Sequence, residues 1–177
     1  MAVEEFIKNV CFPYEFKEQF SIYKVPEGWG TGDLKSAISL YHNQTNDDIS
    51  YVQPPDFSSF FIRKKKIVQA LMKYYKISIV VAENICKSVK IAFDEKASYV
   101  SYTDRVLIDF AYRYQKYPEK STIFVADDGL DPMGQIKLLK YIMSHKSPHL
   151  KVVVFLFFVN LETENVIGRK LSLLAWS

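Results

Sequence analysis

The chain has 177 residues and a net charge of +3, with 49% hydrophobic and 24% charged residues. That is enough apolar material for a buried core in a single domain, and it excludes global disorder. Only two cysteines are present, Cys11 and Cys86, which excludes a disulfide framework and a cysteine-built metal cluster. The slight excess of positive charge permits nucleic-acid binding without requiring it. Met1 to Phe12 carries Glu4, Glu5 and Lys8, unlike a secretory signal. The most apolar stretch, Val152 to Val159, is too short for a membrane-spanning helix, so a cytoplasmic protein is expected.

In chain order, Val3, Phe6, Ile7 and Val10 fall at helical spacing and predict a short N-terminal helix within an extension over residues 1–19. Phe20 to Val25 alternates as a strand. Pro26-Glu-Gly-Trp-Gly-Thr-Gly32 follows and holds three of the six glycines. Leu34 to His42 reads as a helix with Asp33 as its N-cap and Leu34, Ala37, Ile38 and Tyr41 on one face. Ile49 to Val52 reads as a strand, ended by Pro54 and Pro55, which cannot continue a ladder.

Arg63 to Tyr75 has the spacing of a helix burying Ile67, Ala70, Leu71 and Tyr74, with four cations at an unfavourable positive end. Ile77 to Ala82 is rich in β-branched residues and predicts a strand, whereas Asn84 to Phe93 fits helix and strand alike. Thr103 to Tyr114 predicts a helix capped by Thr103.

Ser121 to Ala126 is a short, β-branched apolar run, and Lys151 to Asn160 is a second one. Between them lies the acidic turn Asp127-Asp-Gly-Leu-Asp131, then a helix with Asp131 as N-cap and Pro132 at its first position, finished near His145. Strand, turn, helix and strand make a right-handed βαβ unit. Leu161 to Asn165 reads as a turn, and Leu171 to Trp176 as a final strand. The alternation predicts an α/β fold: a Rossmann-like three-layer sandwich around a mostly parallel sheet, with an antiparallel C-terminal edge strand. One domain over 1–177 is expected.

Four groups of residues have the makings of chemistry. Gly28, Gly30 and Gly32 stand between a strand and a helix, where backbone N–H groups receive an anion. The stretch Pro26 to Leu34 resembles the first motif of Rossmann-type S-adenosylmethionine-dependent methyltransferases. The resemblance implies that methyl donor as cofactor, with Asp56 as its ribose contact. Asp127, Asp128 and Asp131 end a buried strand, where Mg²⁺ is commonly held for phosphoryl chemistry. Asp-Gly-Leu-Asp-Pro-Met-Gly134 resembles the second acidic motif of Toprim domains. On that likeness Glu83 supplies the first acid, Asp127 and Asp128 are catalytic candidates, and Asp128 and Asp131 are metal candidates.

Asp94-Glu-Lys96, with Pro55-Asp56 and His42 upstream, resembles the PD-(D/E)xK nucleases. Arg63, Lys64, Lys65 and Lys66, preceded by Phe57, Phe60 and Phe61, could grip phosphate and stack bases, or bind a protein. Each group also has a plainer reading: a turn around Trp29, a helix cap at Asp131, a solvated helix end at Lys66. The three histidines have no partners at triad or zinc spacing. No catalytic constellation is complete. The sequence therefore predicts a small non-enzymatic interaction protein of accessory, inhibitor or immunity type, whose Tyr and Phe residues anchor a protein partner. The rival is an enzyme, methyltransferase-like or a metal-dependent phosphoryl-transfer enzyme acting on nucleic acid.

Overall fold

The computed structural model describes residues 20–25, 28–45, 48–57, 62–90, 99–116, 121–145 and 151–168. In chain order the elements are β1 (Phe20–Lys24), α1 (Thr31–Thr45), β2 (Asp48–Tyr51), a 3₁₀ turn (Lys64–Lys66), α2 (Ile67–Tyr75), α3 (Ile79–Ser88) and α4 (Tyr102–Lys116). They continue as β3 (Ser121–Ala126), α5 (Pro132–Ser144), β4 (Lys151–Leu156) and α6 (Leu161–Ile167). The chain divides into two compact units: Met1–Val52 with Lys116–Ser177, which holds the sheet, and Gln53–Gln115, a helical unit inserted between β2 and β3.

Among the described residues the sheet is four-stranded and parallel, in the order β1-β4-β3-β2. The fold class is α/β. The steps from β2 to β3 and from β3 to β4 run one way along the sheet, and the step from β1 to β2 runs the other way. Right-handed crossovers therefore put α1 and α5 on opposite faces. On one face Leu34, Ala37 and Ile38 of α1 pack against Phe124, Ala126, Val153 and Phe155. On the other, Ile123, Val125, Val152 and Val154 are buried, as are Leu138, Leu139 and Ile142 of α5. Burial on both faces explains why β3 and β4 read as unbroken apolar runs.

The face under α1 carries a row of aromatic rings crossing all four strands. Tyr23 of β1 lies 5.7 Å from Phe155 of β4, Phe155 lies 6.2 Å from Phe124 of β3, and Phe124 lies 5.9 Å from Tyr51 of β2. The register sets Tyr23 opposite Phe155 and Tyr51 opposite Phe124, the cross-strand arrangement in which such pairs add stability. The Tyr51 hydroxyl reaches α1, donating to the Lys35 carbonyl at 3.3 Å and lying 3.2 Å from Ser39 Oγ. Part of the chain's aromatic content is thus structural.

Cap chemistry agrees with the sequence at α5, where Asp131 Oδ1 accepts from Gly134 N at 2.6 Å and Pro132 opens the helix. Elsewhere it differs. Asp33 lies inside α1 rather than before it, and its Oδ2 accepts from Gly30 N at 3.1 Å. Helix α4 is started by Ser101, not Thr103: Asp104 N donates to Ser101 Oγ at 3.1 Å while Ser101 N donates to Asp104 Oδ2 at 3.4 Å. That reciprocal pair is a capping box.

The strand expected over Ile77 to Ala82 is helix α3. Ser78 caps it, accepting from Val81 N, and Ala82, Ile85 and Cys86 are buried at helical spacing. The turn expected at Leu161 to Asn165 is helix α6, because Asn160 Oδ1 accepts from Thr163 N at 2.8 Å. The expected helix from Arg63 begins as the 3₁₀ turn and becomes α-helical only at Ile67, burying Ile67 and Leu71 but not Tyr74. The expected N-terminal helix and the antiparallel strand over Leu171 to Trp176 lie outside the described residues.

Candidate functional site

In an open parallel sheet, ligands collect beyond the strand C-termini, at the point where successive crossovers leave for opposite faces. Here that point lies between β1 and β4. The chain after β1 enters α1 on one face, whereas the chain after β4 enters α6, which packs against α5 on the other. The glycine loop is at this place.

Gly28 has φ +86°, a conformation that strains any side chain, so glycine is required there by the turn itself. Gly32 is different, with open space where a Cβ would stand. The N–H of Gly30 donates to the Asp33 carboxylate at 3.1 Å. That carboxylate complements the positive end of α1. This contact helps start the helix. Asp56, the expected ribose contact, is exposed on an irregular segment of the inserted unit.

One strand along, the acidic turn serves backbone geometry. Asp127 Oδ1 accepts from Gly129 N at 2.8 Å, and Asp131 caps α5. Asp128 is exposed. Glu83 belongs to α3 in the inserted unit, not to a strand end, so the Toprim-like placement expected of it is corrected. Among the described residues, no three His, Cys, Asp or Glu side chains are grouped so that they could hold a metal ion. Asp94 to Lys96, His149, Phe60 and Phe61 lie outside the described residues. His145 finishes α5, with Nδ1 2.7 Å from the Tyr141 carbonyl and its ring stacked on Tyr141.

Sequence reasoning missed a cluster at the same carboxyl edge. Gln135, buried in the first turn of α5, donates from Nε2 to the Phe158 carbonyl at 2.6 Å and to Thr163 Oγ1 at 3.2 Å. This ties the start of α5, the loop after β4 and α6 together. Around that tie Met133, Phe158 and Leu161 are 79%, 61% and 72% exposed, and Asp128, Asp131 and Glu162 are exposed nearby in the chain. Three large apolar side chains are thus exposed on segments that Gln135 ties together, with exposed Asp128, Asp131, Glu162 and Lys137 near them in the chain. No spacing in the sequence announces it, because α6 itself was not legible.

The inserted unit holds a second organised group. Asp109 on α4 is 1% exposed and accepts from Tyr75 Oη at 2.6 Å, Gln53 N at 2.7 Å and Arg113 Nε at 2.7 Å. Tyr75 stacks on Tyr112 at 3.9 Å. Burial, with Asp109 beside it, pushes the Tyr75 phenol far above the usual tyrosine range. The folded state then holds a proton that the unfolded chain releases near pH 10, so stability falls as pH rises beyond about 10. In Tyr75→Phe, thermal melts across pH 9 to 11.5 should show a shallower alkaline decline than the parent; an identical slope would exclude Tyr75 as its source. The Cys86 thiol, buried on α3 with Glu83 near it, is pushed up to about 11, which makes it an inert core residue.

The basic cluster is exposed at Arg63, Lys65 and Lys66 and partly so at Lys64. An antiparallel bridge pairs Arg63 with Tyr99, closed by Val100 N donating to the Ile62 carbonyl at 2.8 Å. No protein-family model matches this chain, and comparison with curated proteins finds no match.

Proposed function

We propose that the protein is a non-enzymatic interaction factor that docks a basic, apolar protein segment on the carboxyl edge of its sheet. The observation that supports this reading is the exposure of Met133, Phe158 and Leu161 on segments joined through Gln135, with exposed Asp128, Asp131 and Glu162 near them in the chain. Large apolar anchors at the centre and charge at the rim are the anatomy of a protein interface. The exposed acids select a partner with lysine or arginine flanking its apolar anchors. The catalytic readings lack comparable support. Asp33 occupies the glycine-loop donor, and Asp127 and Asp131 spend their carboxylates on the backbone.

Selection from a random peptide library on the purified protein should yield basic sequences carrying aromatic or aliphatic anchors. Their affinity should fall about tenfold or more in Phe158→Ser, the loss expected at a central anchor. Recovery of acidic peptides, or binding indifferent to Phe158→Ser, would overturn the reading. The melting temperature should not respond to S-adenosylmethionine, Mg²⁺ or Mn²⁺. A ligand at 100 times its Kd would add roughly 2.7 kcal/mol, so a shift of that size would restore the enzyme reading.

A further inference from the structure

The two units divide the charge unevenly. Residues 53–115 carry eleven Lys and Arg against six Asp and Glu, a net of +5, while the remainder of the chain carries −2. Inside the inserted unit, Asp104, Arg105 and Asp109 are buried, and Arg113 is paired with Asp109. Those two acids and two bases cancel, and the unit's other described cations are exposed or partly so. The densest run of them is Arg63 to Lys66, with Lys73 exposed two turns along the same helix side as Lys66.

The bridge partner of Arg63 is an aromatic residue, and a second follows three residues on. The bridge between Arg63 and Tyr99 joins residues 36 apart in sequence, and α4 begins three residues after Tyr99 with Tyr102. Tyr99 and Tyr102 are 45% and 44% exposed. Lys66 N donates to the Arg63 carbonyl at 2.9 Å, holding the lysines in a short rigid turn.

We infer that the inserted unit binds single-stranded nucleic acid through this face, the lysines meeting phosphates and Tyr99 and Tyr102 stacking on bases. Lysine ammonium groups, four of the five cations here, bind phosphates as compact point charges with no fixed geometry, which suits contact with a flexible backbone. Exposed rings among cations are the means by which unpaired bases are held without sequence preference. A duplex keeps its bases stacked and offers those rings nothing. The inference is independent of the protein-docking edge, which lies in the other unit.

The test is fluorescence anisotropy of the full chain with a labelled 20-nucleotide oligo(dT) and oligo(U) between 50 and 200 mM salt. Four phosphate contacts give a slope of about −2.8 in log affinity against log salt, a loss of about 50-fold over that range. The triple variant Lys64→Gln, Lys65→Gln, Lys66→Gln should flatten the slope by about 2. Tyr99→Ala and Tyr102→Ala should each weaken binding by roughly tenfold with the slope unchanged. Melting temperatures of these surface variants should stay near the parent value, and Phe158→Ser should bind the oligonucleotide as the parent does. Absence of binding at 50 mM salt, tighter binding of a duplex of equal length, indifference to both tyrosine variants, or equal affinity for poly-glutamate would each overturn the inference. The last outcome would assign the face to an acidic protein instead.

Discussion

Asp109→Ala is expected to destabilise the protein by about 3–5 kcal/mol, the usual loss when one member of a buried charged network is removed. The carboxylate is 1% exposed and takes three hydrogen bonds from three separate segments: Gln53 N, Tyr75 Oη and Arg113 Nε. Alanine leaves a phenol, a backbone N–H and a guanidinium without their acceptor, and each such group costs about 1–3 kcal/mol when buried. Asp109→Asn separates charge from shape. The amide keeps the volume and one acceptor oxygen but turns an N–H₂ toward one of three donors, so a smaller loss of about 1–3 kcal/mol is expected. Urea denaturation followed by the near-ultraviolet tyrosine signal reads this directly, since Tyr75 and Tyr112 are stacked in the same cluster. A loss under about 1 kcal/mol for Asp109→Ala would show that water replaces the carboxylate and that the cluster is not a structural hub.

What could be read from the sequence follows from where the deciding interactions lie. β3 and β4 were legible because a strand buried on both faces has no choice but to be apolar throughout. α5 was legible because its start is written in adjacent residues, Asp131 and Pro132. Ile77 to Ala82 misled because β-branched residues favour strands only when a sheet receives them. Ser78 supplies a cap instead, the buried stripe runs on through Ile85 and Cys86, and Ile79, Val80 and Val81 are left exposed on a helix.

The same reasoning separates the candidate sites. Arg63 to Lys66 announces itself as a charge run, but its companions Tyr99 and Tyr102 arrive through a single bridge that no local pattern encodes. Conversely, the glycine loop and the acidic turn carry the vocabulary of catalysis, yet their polar groups are engaged in starting α1 and α5. Motif residues near helix starts are ambiguous for this reason: an N-cap and an anion or metal site draw on the same side chains.

Phe155→Ala should be the most damaging change in the sheet unit, with a loss of about 3–5 kcal/mol. Phe155 is buried on a central strand, and its ring is the shared member of two aromatic pairs, with Tyr23 on one side and Phe124 on the other. Truncation removes apolar burial, opens a cavity beneath α1, and breaks both pairs, each worth about 0.5–1.5 kcal/mol beyond its burial. Tyr51→Phe tests the end of the same row: it keeps the ring against Phe124 and deletes only the hydroxyl that reaches Lys35 and Ser39 of α1, so about 0.5–1.5 kcal/mol is expected. The row predicts coupling as well as magnitude. In a double-mutant cycle between Phe124→Leu and Phe155→Leu, measured by urea denaturation, the two losses should fail to add by at least 0.5 kcal/mol, the range seen for residues in contact. Tyr51 and Tyr23 occupy opposite ends of the row, separated by two rings, and their losses should add. Coupling between the ends but not the centre would mean that α1 docks on the sheet through some element other than the aromatic row.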